Sequence, residues 1–337
     1  MKVRIFILIF VLNAVFLAAK NNTNVYLSFE FAKGQEGTSL YDGTFSNSAL
    51  GLMFTGNIKE QKVGYNAEVK INGNAGVEVI QALASFNIQN YANIKAGLFL
   101  VPFGGYNTSS RPFQTMLINR PLNVEHFYPS NWRDIGILFE GQYKSIFYSA
   151  YVGNGLREGE NLNSGQQFRD NNKDKGKGGR IGLSLSEEFN IAYSHYRGKC
   201  DEENSRNIVL QGVDLMWSSE EYIVRGEYIQ GQIENPDGYS KGEAKGYFIE
   251  VGIDLLGVRP VVSYQQYEYE DMFHGSGFQD EENPGSGISE EKSRWTIGLV
   301  YFLKQNVLIK LEYDLNKKDE ESDPKNNVFL FQLALTF

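Results

Sequence analysis

Few residues in this chain could do covalent or metal chemistry. Its 337 residues hold three histidines, His126, His195 and His274, and one cysteine, Cys200. A zinc site needs Cys and His ligands clustered at defined spacing, and no such cluster is present. No Gly-x-Ser-x-Gly elbow stands in a strand-to-helix setting, and Gly275-Ser-Gly277 reads as loop filler. No glycine-rich phosphate loop precedes a helix. Cys200 sits in the polar stretch Gly198 to Arg206 with no second cysteine to pair with. The expectation is no enzyme, no metal and no cofactor. What remains is electrostatic: Arg111, Arg120 and Arg133 fall within residues 102–133 against Glu125 alone, a sum of +2, and Asp134 follows directly.

The elements that would position these charges follow from composition and period. Hydrophobic residues make up 42%, but after the first twenty residues no apolar run reaches the ~20 residues that a membrane-spanning helix needs. The chain carries 23 Phe, 20 Tyr and 35 Gly but only 8 Pro, a balance that suits strands and turns. A net charge of −9 gives no electrostatic support for a nucleic-acid partner.

Residues 1–19 read as a secretory signal. Lys2 and Arg4 precede the apolar run Ile5 to Leu17, then Ala18 and Ala19, with cleavage expected after Ala19. Losing Lys2 and Arg4 takes the net charge to −11 and leaves 20–337 as a single domain. An uncleaved anchor is the other reading of this segment.

Downstream, apolar residues alternate with polar ones. Phe329, Phe331, Leu333, Leu335 and Phe337 interleave with Leu330, Gln332, Ala334 and Thr336, and the same period of two recurs at 63–71, 247–255 and 307–315. Such faces belong to strands. Sixteen strands are expected, at 24–31, 49–56, 62–71, 77–88, 92–101, 133–141, 143–152, 179–186, 188–197, 207–217, 220–230, 245–255, 258–269, 294–302, 306–315 and 327–337. Connections after even strands are short and those after odd strands are mostly long and polar. Strands of about ten residues joined by alternating short and long connections predict a transmembrane antiparallel β-barrel, its apolar face on lipid and its polar face on a wet lumen. A soluble secreted β-protein is the competing class. A gated receptor is disfavoured, because no plug-sized segment precedes the first strand.

Register follows from cost. Sliding 245–255 by one residue would aim Glu250 and Asp254 at lipid, where a midplane charge costs up to about 2–4 kcal/mol, less for acids. Glu68, Lys70, Arg180, Arg225, Glu227, Glu250, Asp254, Lys310 and Glu312 are therefore expected to line the lumen. His195 shares the parity of Phe189, Ile191 and Tyr193 and would face lipid, where a membrane-embedded lipase could work; it reads instead as an interfacial residue. The acidic segment 270–292 reads as a solvated external loop, with calcium bridging to lipopolysaccharide as a second role.

The connection from Pro102 to Trp132 is rich in rings and Pro, an awkward cap in water, and would narrow the channel if folded back into the barrel. Three motifs here carry a family resemblance: Gly97-Leu-Phe-Leu-Val-Pro-Phe-Gly-Gly-Tyr-Asn107, Ile118-Asn-Arg-Pro-Leu122 and Phe127-Tyr-Pro-Ser-Asn-Trp-Arg-Asp-Ile-Gly136. They resemble the bacterial outer-membrane porins of the phosphate-selective O and P type. The resemblance implies a sixteen-stranded barrel in the outer membrane, assembled as a homotrimer among lipid and lipopolysaccharide, with the third loop forming the constriction. Solutes would diffuse passively. Arg111, Arg120 and Arg133 would favour small anions there, with Glu125 and Asp134 supplying a transverse field; alternatively the arginines only tie the loop to wall carboxylates. No dense basic ladder supports phosphate as the solute. A barrel serving as an adhesin or structural protein through its external loops is the alternative function.

Overall fold

A computed structural model describes residues 20–58, 62–73, 76–89, 91–275, 278, 291–318 and 326–337. The proposed signal segment and most of the acidic segment 270–292, with its calcium reading, lie outside the described residues.

The chain forms sixteen strands: β1 (Lys20–Gly34), β2 (Thr44–Asn57), β3 (Val63–Asn72), β4 (Val77–Gln89), β5 (Ala92–Leu100), β6 (Arg133–Tyr143), β7 (Ile146–Gly153), β8 (Gly176–Ser184), β9 (Phe189–Lys199), β10 (Asn207–Ser218), β11 (Tyr222–Ile233), β12 (Gly242–Ile253), β13 (Val258–Asp271), β14 (Lys292–Lys304), β15 (Val307–Lys318) and β16 (Val328–Thr336). Each pairs antiparallel with its sequence neighbour, and β1 pairs with β16, so the sheet closes with no free edge. A sheet that leaves no edge can lie in lipid, because every backbone group is paired within it.

The alternation resolves into two faces as the polarity requires. Along β12, Tyr247, Ile249, Val251 and Ile253 are exposed on the outside, whereas Glu250 and Phe248 between them are buried. Exposed and half-exposed rings mark both ends of this apolar belt. Tyr228, Tyr247, Tyr264 and Trp295 run across neighbouring strands at the long-connection end, with Tyr264 and Trp295 centroids 4.8 Å apart. Trp217 stacks with Tyr222, and Tyr91 meets Tyr143, at the short-turn end. Paired aromatic girdles flanking an apolar band are the signature of a barrel immersed in a bilayer.

The first two strands depart furthest from the sequence expectation; several others shift by two to four residues at their ends. The first two run to Lys20–Gly34 and Thr44–Asn57, longer than 24–31 and 49–56. Between them the ladder steps from Ser28↔Ala49 to Glu30↔Ser46, so two residues of β2 oppose one of β1. This bulge puts Asn47 at φ +49° and breaks the period of two on which the expectation rested. A second shift, between Glu68↔Gln81 and Val69↔Val79, does the same within β4.

Candidate functional site

The segment between β5 and β6, residues 101–132, crosses the inside of the barrel. Its backbone amides reach inward-facing side chains far apart round the wall. Gly104 N–H donates to Ser194 Oγ on β9 (3.0 Å), Gly105 N–H to Glu227 Oε2 on β11 (3.1 Å) and Leu122 N–H to Gln265 Oε1 on β13 (3.0 Å). Asn119 N–H donates to Glu312 Oε1 on β15 (3.2 Å), and Ile118 N–H to the other oxygen of that carboxylate. Lys310 closes the set, donating from Nζ to the Pro112 carbonyl (2.6 Å) and Thr115 Oγ1 (2.9 Å). Buried carboxylates thus serve as anchors for loop amides that would otherwise lack partners.

The loop's anchors fall mainly on β9 to β15, with Arg111 reaching across to Glu68 on β3. Phe103, Tyr106, Val124, Phe127 and Trp132 are buried with wall residues Tyr196, Leu210, Ile229, Phe248 and Tyr267 in one apolar cluster. The short helix α1 (Leu122–Phe127) packs on β11 to β14. At the entry, Gly104 has φ +65°, and a Cβ there would lie 2.1 Å from Glu227 Oε1, so both backbone and space require glycine.

Away from these anchors, open space remains between the loop and the wall, along β1 to β4 and β16 at one end and β4 to β8 at the other. At the long-connection end a cavity of about 440 Å³ is lined by Glu30, Lys70, Glu78, Arg120 and Glu125 among many amides and hydroxyls. At the short-turn end a cavity of about 640 Å³ is lined by Lys95, Arg111, Glu140 and Arg180 among others. The layer between them holds Glu68. It accepts from Arg111 Nη2 at 2.5 Å, Tyr26 OH at 3.1 Å and Gln81 Nε2 at 3.3 Å, and is only 1% exposed.

The residues singled out from sequence fall as follows. Arg111 pairs with Glu68, and Arg133 reaches Glu78 at 3.4 Å. Arg120 donates to the carbonyls of Val124 (2.8 Å) and Tyr128 (3.0 Å), within its own loop. Glu125 is half-exposed and 3.7 Å from Arg294. Asp134 departs from the expected transverse field: it is 1% exposed and accepts from the backbone N–H of Ile135, Asn154 and Gly155, so it ties strand to loop and faces no passage. Among the wall residues, Arg225 pairs with Glu250 (2.9 Å), Arg180 with Asp214 (2.5 Å) and Arg259 with Asp254 (2.7 Å). Glu227 and Glu312 anchor the loop, and Lys70 lines the 440 Å³ cavity.

Sequence reasoning missed Ser28, Glu30 and Gln332, which line that same cavity. Strand parity would have found Gln332, opposite Glu30 in the ladder, but Asn47 could not be found because the bulge hides its orientation. Arg294, one residue from the outward Trp295, was likewise readable as inward.

No known family model matches the chain. An uncharacterised protein of Aquifex aeolicus (strain VF5) is 26% identical over 198 residues, covering 52% of this chain and 44% of that protein, so the chain spans under half of that relative's length. Among solved structures, the chain is similar to the anion-selective porin from Comamonas acidovorans (TM-score 0.67, 12% identity, 95% of this chain and 100% of that one). It is also similar to Salmonella typhi OmpF in complex with daunomycin (0.67, 13%, 95% and 98%). A third is OmpT of Vibrio cholerae in its trimer form (0.65, 9%, 95% and 100%). Identities this low speak for fold alone, and the chain has the sixteen-stranded barrel fold of the outer-membrane porins.

Proposed function

We propose that this protein is a porin of the bacterial outer membrane, through which ions and small hydrophilic solutes diffuse passively. The observation that carries the reading is the loop anchored mainly on β9 to β15, with polar cavities left beside it at both ends of the barrel. A barrel built for adhesion would have no need of a polar inner wall facing such space. The short turns lie on the periplasmic side and the long connections outside, as in other barrels of this kind. The likeness to a trimeric neighbour supports assembly as a homotrimer set among lipid and lipopolysaccharide.

A weak anion preference arises at the periplasmic end. There Arg111 and Arg180 present more surface than their partners, with side-chain exposures of 10% against 1% for Glu68 and 20% against 8% for Asp214, while Lys95 shows less than Glu140, 25% against 35%. The external cavity has the opposite bias, since Glu78 and Glu125 are more exposed than Arg133 and Arg294. Planar-bilayer recording across a potassium chloride gradient tests both parts. Steady conductance in steps of three, with a modest anion-directed reversal potential, is expected. A cation-directed reversal removes the selectivity assignment, and no conductance from folded protein removes the porin.

A further inference from the structure

We infer that the external 440 Å³ cavity is a binding subsite for neutral polyhydroxylated solutes, sugars or polyols, and not merely a stretch of passage. The inference rests on the porin reading and adds a solute class to it.

The cavity volume lies in the range of small-molecule sites. Its wall is dominated by neutral hydrogen-bonding groups: the amides of Asn47, Asn72, Asn119 and Asn131 and the hydroxyls of Ser110 and Ser130. Amides and hydroxyls both donate and accept, as sugar hydroxyls do.

Most charges in this wall are already engaged. Glu78 pairs with Arg133, Glu125 with Arg294, and Arg120 is spent on loop carbonyls. Lys70 stands directly across the ladder from Glu78. An anion entering here would meet Glu30, Glu78 and Glu125 against this one ammonium and the loop-bound Arg120.

Two polar atoms point to the ligand. Ser28 Oγ and Gln332 Oε1 are buried, each residue about 2% exposed, and have no hydrogen-bond partner among the described residues, yet both residues line the cavity. Leaving such groups unmatched is costly, so they mark where a partner belongs. Gln332 Nε2 donates to Glu30 Oε1 at 2.6 Å, which fixes the amide's orientation and leaves its oxygen as a pure acceptor. That oxygen requires a donor. A hydroxyl supplies one; a carboxylate or phosphate dianion does not. The bulge at Asn47, with φ +49°, lies beside Ser28 and Glu30 and directs a further amide to the same spot.

The test is current blockade. Single channels are recorded with maltose titrated on the external side, each variant being normalised to its own sugar-free conductance. A saturable block is expected, absent with a polyethylene glycol of matching size and with succinate. Ser28→Ala and Gln332→Leu should each raise the half-blocking concentration, by about tenfold where one hydrogen bond of typical strength is lost. Heat-modifiable migration on a gel shows that each variant is folded, and Ser28→Ala keeps the test open should Gln332→Leu fail to fold. The inference is overturned if maltose only lowers current in proportion to viscosity, if succinate blocks at lower concentration, or if both variants block like wild type. Should the wild-type barrel not conduct at all, the porin reading fails; maltose quenching of intrinsic fluorescence in the detergent-solubilised barrel then decides the subsite separately.

Discussion

Arg111→Ala is the sharpest probe of how the loop is held. The substitution removes three contacts to Glu68, at 2.5, 3.0 and 3.2 Å, and leaves a carboxylate 1% exposed with only Tyr26 OH and Gln81 Nε2 to answer it. Breaking a buried pair from one side costs about 3–5 kcal/mol. Arg111 borders the periplasmic cavity and is 9% exposed, so water reaches one edge of the pair and the lower end of the range applies, about 3 kcal/mol. With a urea slope of about 3 kcal/mol/M, the unfolding midpoint falls by roughly 1 M. The assay is urea unfolding in lipid vesicles followed by tryptophan fluorescence, run as a double-mutant cycle with Glu68→Gln. The neutral amide in Arg111→Ala/Glu68→Gln removes the stranded charge, so the double variant should recover most of the loss, with a coupling energy above about 1 kcal/mol. Additive effects, or a midpoint shift too small to measure, would refute the argument that this pair ties the loop to β3 between the cavities.

Three further outcomes are expected. Gly104→Ala forces a left-handed backbone and drives a Cβ into Glu227, so it should loosen the loop and raise the frequency of conductance fluctuations; a quiet, unchanged channel would contradict this. Cys200 is fully buried and its thiol is pushed up to about 12 by burial, against a smaller opposing effect of Arg206, so thiol reagents at pH 8 should leave the folded protein unlabelled and modify it only in denaturant. Asp201, in the turn after β9, is pushed up by burial but held below the ordinary carboxylate range overall by hydrogen bonds from Ser205 and Arg206. Its contribution is present above the unfolded-state value of about 3.9 and is lost as pH falls through the lower folded value, so protease protection of the 200–206 turn should decline only in strong acid, and Asp201→Asn should abolish that pH dependence.

The architecture was legible because lipid imposes a period on the sequence. Tyr247, Ile249, Val251 and Ile253 must face one solvent and Glu250 the other, and a closed antiparallel sheet must alternate its connections. Strand ends were less legible, since β1 and β2 extend past the apolar belt, where polarity no longer alternates but the ladder continues. The site was legible only in part. Composition marked 102–132 as unsuited to water, but whether a charge lines a passage or anchors a loop depends on partners distant in sequence. Arg111 and Glu68 are 43 residues apart, and Ile118 and Glu312 are 194. Asp134, beside Arg133, looked like part of a charged aperture and proved to cap backbone amides of another loop. Asn47 was hidden by a bulge that local pattern does not announce.

The central claim is that solutes pass between the loop and the β1–β8 side of the wall, through the two cavities, and not along the β9–β15 side where most of the loop's anchors lie. Single-channel recording of Lys70→Cys and Gln265→Cys, each in a Cys200→Ser background, tests it most directly. Lys70 lines the open side, whereas Gln265 is 2% exposed beneath Leu122. A charged methanethiosulfonate reagent should cut the conductance of Lys70→Cys sharply and leave that of Gln265→Cys unchanged. Block at Gln265→Cys without block at Lys70→Cys, or no conductance in either folded protein, would contradict the account.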